Sequence, residues 1–433
     1  MLDIKFIQEN QEAVKTAIKN KGCDLNLDKM LVAYENKNEL LQKIETLKAE
    51  KNKLNEKIQS AEDKKKLIDQ GREIKEKLSN LEPEYKKIKA KFEEMMLLVP
   101  NLPSADTPVG SDDSGNKEIS KWGEAPELGF KIKDHIELGE GLDIIDIERG
   151  VKTGGFRGYY LKNEAVWLQM ALIMHALAKM KAKGFEIMIT PTIIRSFALV
   201  GSGHFPFGKD EIYQIQNPGK NADGEIICDP CYLAGTSEPA LLAYFANQTL
   251  KAEELPKKVC GFSQCYRSEV GSYGKDTKGL YRMHEFMKVE QVVICQADKR
   301  EADKWLEEMR GIAEEMLQDL KLPYRVVQVC TGDMGAGKYK MYDLETWMPS
   351  RNAYGETHSD SNLTDWQARR LGIKYKDKDG QVSFAYTLNN TVIASPRILI
   401  ALLENYQKED GSVEIPEVLR KYIPGEINII KPK

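Results

Sequence analysis

Two segments near the N-terminus repeat apolar residues at alternating spacings of four and three. The stripe on residues 40–61 and 74–95 consists of Leu40, Ile44, Leu47, Leu54, Ile58 and Ala61, and then of Ile74, Leu78, Leu81, Tyr85, Ile88, Phe92 and Met95. This spacing is typical of helices that pack along a coiled-coil seam. The polar stretch between the two segments is suited to a turn. We therefore predict an antiparallel helical arm over about residues 26–98, kinked or locally broken at Pro83.

The pattern changes to mixed helix and strand after a segment rich in proline, glycine and small polar residues at 100–120. Apolar runs joined by hairpin-like loops alternate irregularly with helical periodicities. This arrangement predicts an α+β fold, with helices flanking an antiparallel sheet, rather than a doubly wound parallel sheet. The predicted domains are an N-terminal domain, residues 1–104, and a second domain, residues 105–433, which opens with a linker over 105–120.

Residues 265–290 place functional side chains at every second position on both sides of a loop. Arg267 and Glu269 precede the loop, and the residues that follow it are Arg282, His284, Phe286, Lys288 and Glu290. Side chains two apart on a strand point to the same face, so one face offers guanidinium groups for phosphate, a ring for stacking and carboxylates for amino groups. The Gly- and Lys-rich loop, 271–279, is suited to close over a polyanion. An edge hairpin with a charged solvent face is the alternative, but the matched alternation favours a binding site.

The composition is that of an ordinary soluble chain, with 433 residues, 30% charged and 41% apolar, and a formal net charge of −4. Residues 42–91 hold 15 lysines and arginines against 10 acidic residues, which leaves −9 on the rest of the chain. A basic arm is consistent with a partner that carries backbone phosphates, and a solvated coiled-coil surface is the alternative. Neither a signal peptide nor a transmembrane segment is predicted, so we expect a cytoplasmic location, reduced cysteines, and no membrane or DNA partner.

Two motifs that suggest a metal or nucleotide site have the wrong spacing. Cys228 and Cys231 form a C-x-x-C pair, but Cys260 and Cys265 are separated by four residues, whereas a structural zinc site usually has two tight pairs. We therefore expect thiols in the core or in loops, and no zinc. The segment DMGAGK at 333–338 lacks the spacing of a P-loop and is predicted to form a turn.

Several segments together resemble the seryl-tRNA synthetases, a family of class II aminoacyl-tRNA synthetases. The resemblance runs nearly end to end and includes the opening MLDIKFIQEN, the arm, the NLPS linker and DHIELGEGLDIID. Three class II signatures follow in order: the segment from Gly184 to Pro191, then RSEVGSYGKDTKGLYRMHEFMKVE, and then YTLNNTVIASPRILIALLENYQ. TSE at 236–238 and SNLTDWQARR at 361–370 match further family blocks.

The resemblance implies an ATP site. Arg267 and Arg397 are the implied catalytic residues, Arg267 as a clamp on the α-phosphate and Arg397 beside the adenine and near the γ-phosphate. Phe286 is implied to stack on the adenine, Glu269 to bind its amino group, and Arg282 to bind phosphate. The implied ATP-binding residues are Arg267, Ser268, Glu269, Arg282, Phe286, Glu356, Thr357, His358, Ser359 and Arg397.

The resemblance also implies a serine site and a magnesium ion. The implied serine-binding residues are Thr236, Ser237, Glu238, Arg267, Glu290 and Thr391. We expect Glu290 and Thr391 to bind the serine hydroxyl, because a site built for that hydroxyl leaves buried polar groups unpaired with alanine. Mg²⁺ is implied to bridge the ATP phosphates with help from the Glu356 carboxylate. His284 is interpreted as structural.

The implied activity is that of a serine–tRNA ligase with three substrates: ATP, L-serine and serine tRNA. The serine carboxylate would attack the α-phosphorus to give seryl-adenylate and pyrophosphate, and the tRNA 3′ end would then take the seryl group. The family is homodimeric, so a homodimer is implied. Selenocysteine tRNA is a further candidate substrate that the sequence leaves open.

The chain departs from the family pattern at a few positions. Glu285 stands where glutamine is usual, 356–361 reads ETHSDS where EISSCS is more common, and 389–397 reads NNTVIASPR where bacterial members have a glycine-rich segment. We interpret these departures as lineage variation. A catalytically silent paralogue and an amino acid:carrier-protein ligase are the alternative functions. The retained arginines argue against the first and the arm against the second.

Overall fold

The computed structural model describes residues 1–60, 65–217, 219–226, 229–270 and 279–433. Most of the predicted Gly- and Lys-rich loop, the tip of the arm and Cys228 therefore lie outside the described residues. The chain forms two compact units, Met1–Pro100 and Asn101–Lys433. None of the helices in the described ranges is long and apolar enough to cross a membrane.

The N-terminal unit is helical and contains the predicted arm. Its helices are α1 (Ile4–Glu9), α2 (Gln11–Asn20), α3 (Leu27–Ser60) and α4 (Lys65–Leu97). The rings of Tyr34 and Phe92 lie 5.4 Å apart, and Lys48 forms an ion pair with Glu82 at 2.8 Å. Residues early in α3 thus meet residues late in α4, so the two helices are antiparallel. The coiled-coil arm that the apolar spacing predicts is confirmed.

Of the two outcomes predicted at Pro83, a kink or a local break, the local break is wrong, because α4 runs through this residue as one helix. Proline removes one backbone donor and crowds the preceding turn. Side chains on both sides of it nevertheless pack on the arm's seam: Leu78 and Phe92 are buried, and Glu82 pairs with Lys48. Packing along two long helices therefore holds the helix across a single missing hydrogen bond.

The second unit combines one large sheet with helices and short strand pairs. Its helices are α5 (His135–Gly141), α6 (Ile147–Gly154), α7 (Glu164–Ala182), α8 (Ser196–Ser202), α9 (Glu238–Tyr244), α10 (Lys299–Asp319), α11 (Trp366–Leu371), α12 (Ser395–Asn405) and α13 (Glu417–Arg420). Its strands are β1 (Lys117–Trp122), β2 (Ile145–Asp146), β3 (Tyr160–Leu161), β4 (Glu186–Ile189), β5 (Ile193–Arg195), β6 (Cys231–Leu233), β7 (Thr249–Lys251), β8 (Lys257–Tyr266), β9 (Glu285–Cys295), β10 (Tyr324–Gln328), β11 (Lys340–Met348), β12 (Ala353–Asn362), β13 (Lys374–Lys376), β14 (Val382–Phe384), β15 (Tyr386–Ala394), β16 (Val413–Glu414) and β17 (Ile429–Ile430).

Among the described residues, the main sheet has eight strands in the order β1-β10-β11-β12-β15-β9-β8-β4. Neighbours in this sheet are antiparallel, except that β4 runs parallel to β8. Helices α7, α10 and α12 pack with the central strands in one buried apolar cluster. The predicted α+β fold around an antiparallel sheet is therefore confirmed.

Three polar side chains are buried in a row across the centre of this sheet. Cross-strand pairing places Asp360 beside Asn390 and Asn390 beside Gln291. The amides of Asn390 and Gln291 both donate to the carbonyl oxygen of Met309 in α10, at 2.9 and 3.1 Å. Within the described part of the chain, the Asp360 carboxylate oxygens accept no hydrogen bond. Burial, with a further contribution from Glu307, raises the pKa of Asp360 well above its usual value.

We predict that Asp360→Asn stabilises the protein at neutral pH. Because the folded-state pKa is raised, the unfolded carboxyl ionises above about pH 4 while the folded one stays protonated, and stability falls as the pH rises through this window. The amide removes this penalty, so the free energy of unfolding should rise by about 1–3 kcal/mol at pH 7 and show little change near pH 4. Urea unfolding at both pH values measures the difference.

Asp365→Asn is the matched control, because Asp365 forms an ion pair with Arg369 at 2.6 Å. This variant should gain no stability at pH 7. A loss of stability in Asp360→Asn at pH 7 would contradict the assignment of a destabilising buried carboxyl.

Candidate functional site

A cavity of about 250 Å³ opens on the face of the central strands opposite the Asp360 row. Most side chains proposed from sequence line it: Thr236, Glu238, Arg267, Glu269, Arg282, Phe286, Glu290, Glu356, Thr357, Ser359, Thr391 and Arg397. They come from β9, β12 and β15, from the segments that flank β8 and β9, from the segment before α9, and from the first turns of α9 and α12. Residues more than 150 positions apart in the chain thus meet at one site.

Alternate side chains of β9 line the cavity. Phe286, Lys288 and Glu290 line it from every second position of this strand. Arg282 reaches the cavity from the segment before the strand begins. His284 does not line it, and its Nδ1 instead lies 2.8 Å from the carbonyl oxygen of Arg267. The interpretation of His284 as structural agrees with this placement.

Two arginines of the cavity are held over aromatic rings. The Arg267 guanidinium lies 5.3 Å from the centre of the Phe286 ring, and its Nε donates to the carbonyl oxygen of Gly235 at 3.2 Å. The Arg397 guanidinium lies 4.5 Å from the centre of the Tyr281 ring and 3.1 Å from a Glu356 carboxylate oxygen. A planar guanidinium that is fixed in this way can present two parallel donors to a phosphate.

At the end of the cavity that holds Arg282 and Arg397, each of two carboxylates is paired with one of these arginines. Glu269 has a left-handed backbone, with φ of 52°, and its carboxylate lies 3.1 Å from Arg282. Glu356 is half-exposed and pairs with Arg397. Partial desolvation raises the pKa of Glu356, but the adjacent Arg397 more than offsets this effect, so the pKa lies below its usual value.

The other end of the cavity buries two carboxylates among cations and amides. Glu238 accepts hydrogen bonds from Gln367 at 2.6 Å and Asn389 at 2.9 Å. Glu290 lies 2.5 Å from Lys288, whose ammonium also donates to the hydroxyl of Thr236 at 3.2 Å. This end therefore offers carboxylates and hydroxyls to a small zwitterion.

The two buried carboxylates respond differently to their surroundings. Burial raises the pKa of Glu238, but Lys338, together with smaller contributions from His204, the Gln367 hydrogen bond and Lys288, outweighs burial, and the pKa is lowered. Burial also raises the pKa of Glu290, and there it prevails over the attraction of Lys288. Glu238 is thus the fixed negative charge of this end.

Three residues proposed for the site do not reach the cavity. The Ser237 hydroxyl lies 2.7 Å from that of Ser263 in the interior, and Ser268 donates to the carbonyl oxygen of Asp210. His358 is buried between Thr357 and the carbonyl oxygen of Val392, and burial lowers its pKa to about 4. Ser237 and His358 each follow a residue that lines the cavity, but their own hydrogen bonds hold their side chains away from it.

A β-bulge explains why Glu356 and Thr357 both line the cavity although they are consecutive. The register between β11 and β12 shifts between Leu344 and Glu345, which pair with His358 and Glu356. A bulge places two residues opposite one and re-aims a side chain. Period-two reasoning from sequence cannot locate such a shift.

The segment that replaces the family's glycines keeps its bulky side chains off the cavity, apart from Pro396. Asn389 and Thr391 line it, whereas Asn390 donates to Met309 behind the sheet and Val392 is buried in the apolar core. Pro396 lies in the first turn of α12, where proline fits without loss of a helical hydrogen bond. The departure in 389–396 therefore leaves the cavity open.

Sequence reasoning missed several residues of the lining: His204, Tyr281, Met283, Lys338, Asn389, Ala394 and Pro396. Lys288 belongs to the alternation along β9, which by itself predicts no role for this residue. Lys338 ends the DMGAGK segment, whose backbone turns between Gly335 and Lys338. His204 follows the end of α8. A glycine immediately before each of these two residues was the available signal.

The described residues contain no group of three or more His, Cys, Asp or Glu side chains placed to hold a metal ion. Cys231, Cys260 and Cys265 are buried free thiols, and burial raises the pKa of Cys260. The half-exposed carboxylate of Glu356 could instead share a magnesium ion with the phosphates of a bound nucleotide, because Mg²⁺ commonly takes one or two carboxylates together with phosphate oxygens.

Comparison with known proteins gives consistent matches over the full chain. The family model of the seryl-tRNA synthetase N-terminal domain matches residues 1–103, and that of the class II tRNA synthetase core domain (G, H, P, S and T) matches residues 227–406. The chain is 44% identical to a serine–tRNA ligase of Deinococcus radiodurans over 98% of both chains, and 40% identical to one of Rubrobacter xylanophilus over 99% of both.

Solved structures agree with the sequence matches. The crystal structure of seryl-tRNA synthetase from Pyrococcus horikoshii complexed with ATP superposes with a TM-score of 0.87 at 38% identity, covering 100% of both chains. A cytoplasmic serine–tRNA ligase from Naegleria fowleri in complex with AMP superposes with a TM-score of 0.84 at 31% identity, covering 100% of this chain and 99% of that one.

Proposed function

The chain belongs to the seryl-tRNA synthetases, and we propose that its cavity binds ATP at the arginine-rich end and L-serine at the end that holds Glu238 and Glu290. Its activity is that of an ATP-dependent serine–tRNA ligase, which forms seryl-adenylate and pyrophosphate and then transfers serine to the 3′ end of serine tRNA. This division of the cavity rests on the different side chains at its two ends. One end holds arginines paired with carboxylates, and the other buries Glu238 and Glu290 among hydroxyl, amide and ammonium groups.

At the ATP end, Arg267 is the group best placed to bind the α-phosphate. Its contact with the Phe286 ring and its bond to the carbonyl oxygen of Gly235 hold the guanidinium in a fixed orientation. Phe286 offers its ring to the adenine, and Glu269 offers a carboxylate oxygen to the adenine amino group. Arg282 and Arg397, each paired with a carboxylate, supply positive charge for the outer phosphates.

Glu356, which pairs with Arg397 at the ATP end, is the proposed protein ligand for magnesium. It presents a carboxylate to the cavity beside Arg397, so an ion held there would lie where the arginines bind phosphate. When bound, Mg²⁺ supplies positive charge to the phosphate oxygens. Thr357 and Ser359 add hydroxyl groups to the same wall.

At the serine end, the substrate's charged groups have separate partners. The carboxylate of Glu238 attracts the ammonium, with Thr236 as a hydroxyl acceptor. Arg267 faces the substrate carboxylate, which must point toward ATP in order to attack the α-phosphorus. Thr391 lies on β15 directly opposite Glu290, so these two residues can contact one small side chain.

The proposed chemistry needs no nucleophile from the protein. The serine carboxylate attacks the α-phosphorus, and pyrophosphate leaves. The protein holds both substrates in line and places Arg267 and Arg397 against the charge that develops on the phosphate oxygens. In the second step, the terminal ribose hydroxyl of tRNA takes the seryl group and AMP leaves. We place this reaction in the cytoplasm, and we leave selenocysteine tRNA as a further substrate to be tested in the same charging assay.

Serine-dependent exchange of pyrophosphate into ATP tests the first step, and we predict that Arg267→Ala lowers its rate about 100- to 1000-fold. The loss follows from removing the donors to the α-phosphate. Arg300→Ala, which changes an exposed arginine of α10, is the matched control and should retain normal exchange. Full activity in Arg267→Ala, with its fold verified by circular dichroism, would refute the assigned role.

The same assays separate the alternative functions. Absence of exchange in the unmodified protein would favour a silent paralogue. Exchange without charging of serine tRNA would favour a ligase that acts on a carrier protein.

We propose that the arm binds tRNA through backbone phosphates, because residues 42–91 carry an excess of five positive charges. Replacing 42–91 by a short loop should leave serine-dependent exchange unchanged and lower tRNA charging at least tenfold. A matched charge variant, Lys86→Glu with Lys87→Glu, changes two exposed residues of α4 and should weaken charging more at low salt than at high salt. Normal charging by the loop variant would contradict the proposal.

We also propose a homodimer that forms through the edge of the main sheet at β4. Large apolar side chains are exposed there and on nearby segments of the chain: Ile189 is 84% exposed, and Ile193, Phe197, Trp167 and Met174 are each about half exposed. Five exposed large apolar side chains on neighbouring segments of a folded unit indicate a docking surface. A second copy of the chain is the occupant we propose, because the relatives' family is homodimeric.

Ile189→Asp should convert the dimer to a monomer in sedimentation analysis, because a buried unpaired charge opposes association. Val382→Asp changes an exposed apolar residue on β14 and is the matched control, which should remain dimeric. A dimer that persists in Ile189→Asp would place the interface elsewhere.

A further inference from the structure

The side chain of His135, at the start of α5, joins three segments of the second unit although it does not line the cavity. Its Nδ1 atom lies 2.9 Å from a carboxylate oxygen of Glu404 in α12, and its Nε2 atom lies 3.1 Å from the backbone nitrogen of Leu280. Only 10% of the His135 side chain is exposed, and the Glu404 side chain is fully buried. Two elements and the segment before β9 therefore meet at one ring.

The partners of the His135 ring fix where its proton lies. A backbone N–H can only donate a hydrogen bond, so the Nε2 atom that faces Leu280 is the unprotonated acceptor. The proton of the neutral ring is therefore on Nδ1, where it is donated to Glu404. Neither the other tautomer nor a protonated ring can form both bonds. The ring thus connects Leu280 to α12 in one defined state.

The Glu404 carboxylate holds the ring in place. Besides the ring, it accepts hydrogen bonds from the backbone nitrogen of His135 at 3.1 Å and from that of Ser350, in the turn Pro349–Arg351, at 3.0 Å. Three donors satisfy this buried carboxylate, as its removal from water requires. The orientation of the ring is therefore set from α12.

The backbone beside the ring leads directly to the arginines of the cavity. Gly279 has a left-handed φ of 67°, and a Cβ atom there would overlap Nε2 of His135, so the chain passes against the ring. Two residues later, the carbonyl oxygen of Tyr281 accepts a hydrogen bond from Nε of Arg397 at 3.2 Å, and the Tyr281 ring lies beneath the same guanidinium. Arg282, which also lines the cavity, follows immediately.

A second connection runs from Glu404 to the same tyrosine. The Arg351 guanidinium lies 4.7 Å from the centre of the Tyr281 ring. Arg351 belongs to the turn whose Ser350 nitrogen is bound to Glu404. Tyr281 is therefore held through its backbone, by way of Leu280 and the His135 ring, and through an arginine on its own ring.

We propose that His135 is a positioning residue for ATP, whose bond to Leu280 places Tyr281 and Arg282 and, through Tyr281, also Arg397. The proposal rests on the proposed function of the cavity, in which Arg282 and Arg397 face the outer phosphates. Loss of the bond should therefore weaken the binding of ATP more than that of AMP, which lacks these phosphates. Serine is assigned to the other end of the cavity, so its KM should not change.

Two isosteres of histidine separate the two bonds of the ring. In His135→Asn, the side-chain amide can still donate to Glu404 from the position of Nδ1, but it cannot reach Leu280. In His135→Gln, the amide oxygen can replace Nε2 as the acceptor for Leu280, but the donor to Glu404 is lost. Each variant removes one hydrogen bond of the ring, so both should lose similar stability. Only His135→Asn should lose the positioning of the arginines.

Serine-dependent pyrophosphate exchange at varied ATP, with AMP as a competitive inhibitor, tests the proposal. We expect His135→Asn to raise KM for ATP about 5- to 20-fold, the range for one hydrogen bond. It should leave KM for serine and the inhibition constant of AMP nearly unchanged. His135→Gln should keep KM for ATP close to that of the unmodified protein.

His175→Asn is the matched control, because this buried histidine also pairs with a carboxylate, that of Asp319 at 2.9 Å, outside the cavity. It should lower the melting temperature without changing KM for ATP. An equal rise in KM for ATP in His135→Asn and His135→Gln, or an equal loss of ATP and AMP binding in His135→Asn, would indicate a general structural role and overturn the proposal. An unchanged KM for ATP in His135→Asn would also overturn it.

Gly279→Ala keeps the test decisive if His135→Asn folds poorly. The added methyl group would displace the ring from Leu280 while both polar partners of the ring remain. This variant should show the same rise in KM for ATP with little change for AMP and serine, and an unchanged KM for ATP would count against the proposal.

A failed proposal and a failed function give different results in these assays. Absence of serine-dependent exchange in the unmodified protein would refute the function of the cavity. Normal exchange, without the difference between His135→Asn and His135→Gln, would refute only the role of the ring.

Discussion

The structure depends on burying charges of both signs on one face of a sheet. An isolated charge that is moved from water into a protein interior is costly, so each must be paired or hydrogen-bonded where it lies. The cavity meets this requirement locally: Glu290 pairs with Lys288, Arg397 pairs with the half-exposed Glu356, and Glu238 is held by two amides. The antiparallel strands β8, β9, β15 and β12 are the frame that brings these partners together.

Local sequence patterns predict most of the fold and about half of the candidate residues that do line the cavity. The alternation along β9 identifies Phe286 and Glu290 because strand side chains alternate between faces, and the apolar spacing of the arm identifies α3 and α4. Where the geometry departs from an ideal element, the prediction fails. Pro83 remains in a continuous helix because tertiary packing outweighs one lost hydrogen bond, and the bulge beside Glu356 changes which side chains face the cavity.

Residues that reach the site through long-range packing leave little trace in the sequence. His204 and Lys338 have no periodic partner, and the buried ring of Trp366 packs against the glycines that precede both residues. The non-glycine segment at 389–396 shows the converse case. Asn390 looks like an obstruction in sequence, yet its strand position points it behind the sheet, where its amide is bonded to α10. Side-chain direction therefore decides whether a departure from a family pattern disturbs a site.

The ion pairs at the arginine-rich end of the cavity explain how it can be ready for the polyanion that we propose it binds. Arg282 and Arg397 each lie 3.1 Å from a carboxylate, Glu269 or Glu356, so both guanidinium groups are already oriented and partly desolvated. In the complex that we propose, a phosphate would take over the donors of these arginines, and the side-chain entropy of ordering them would not have to be lost again on binding. Each released carboxylate would then serve the ligand itself, Glu269 as an acceptor for the adenine amino group and Glu356 as a ligand for the cation that accompanies the phosphates. The same pairs that make the empty site stable thus supply both the positive and the negative groups that the proposed reaction requires.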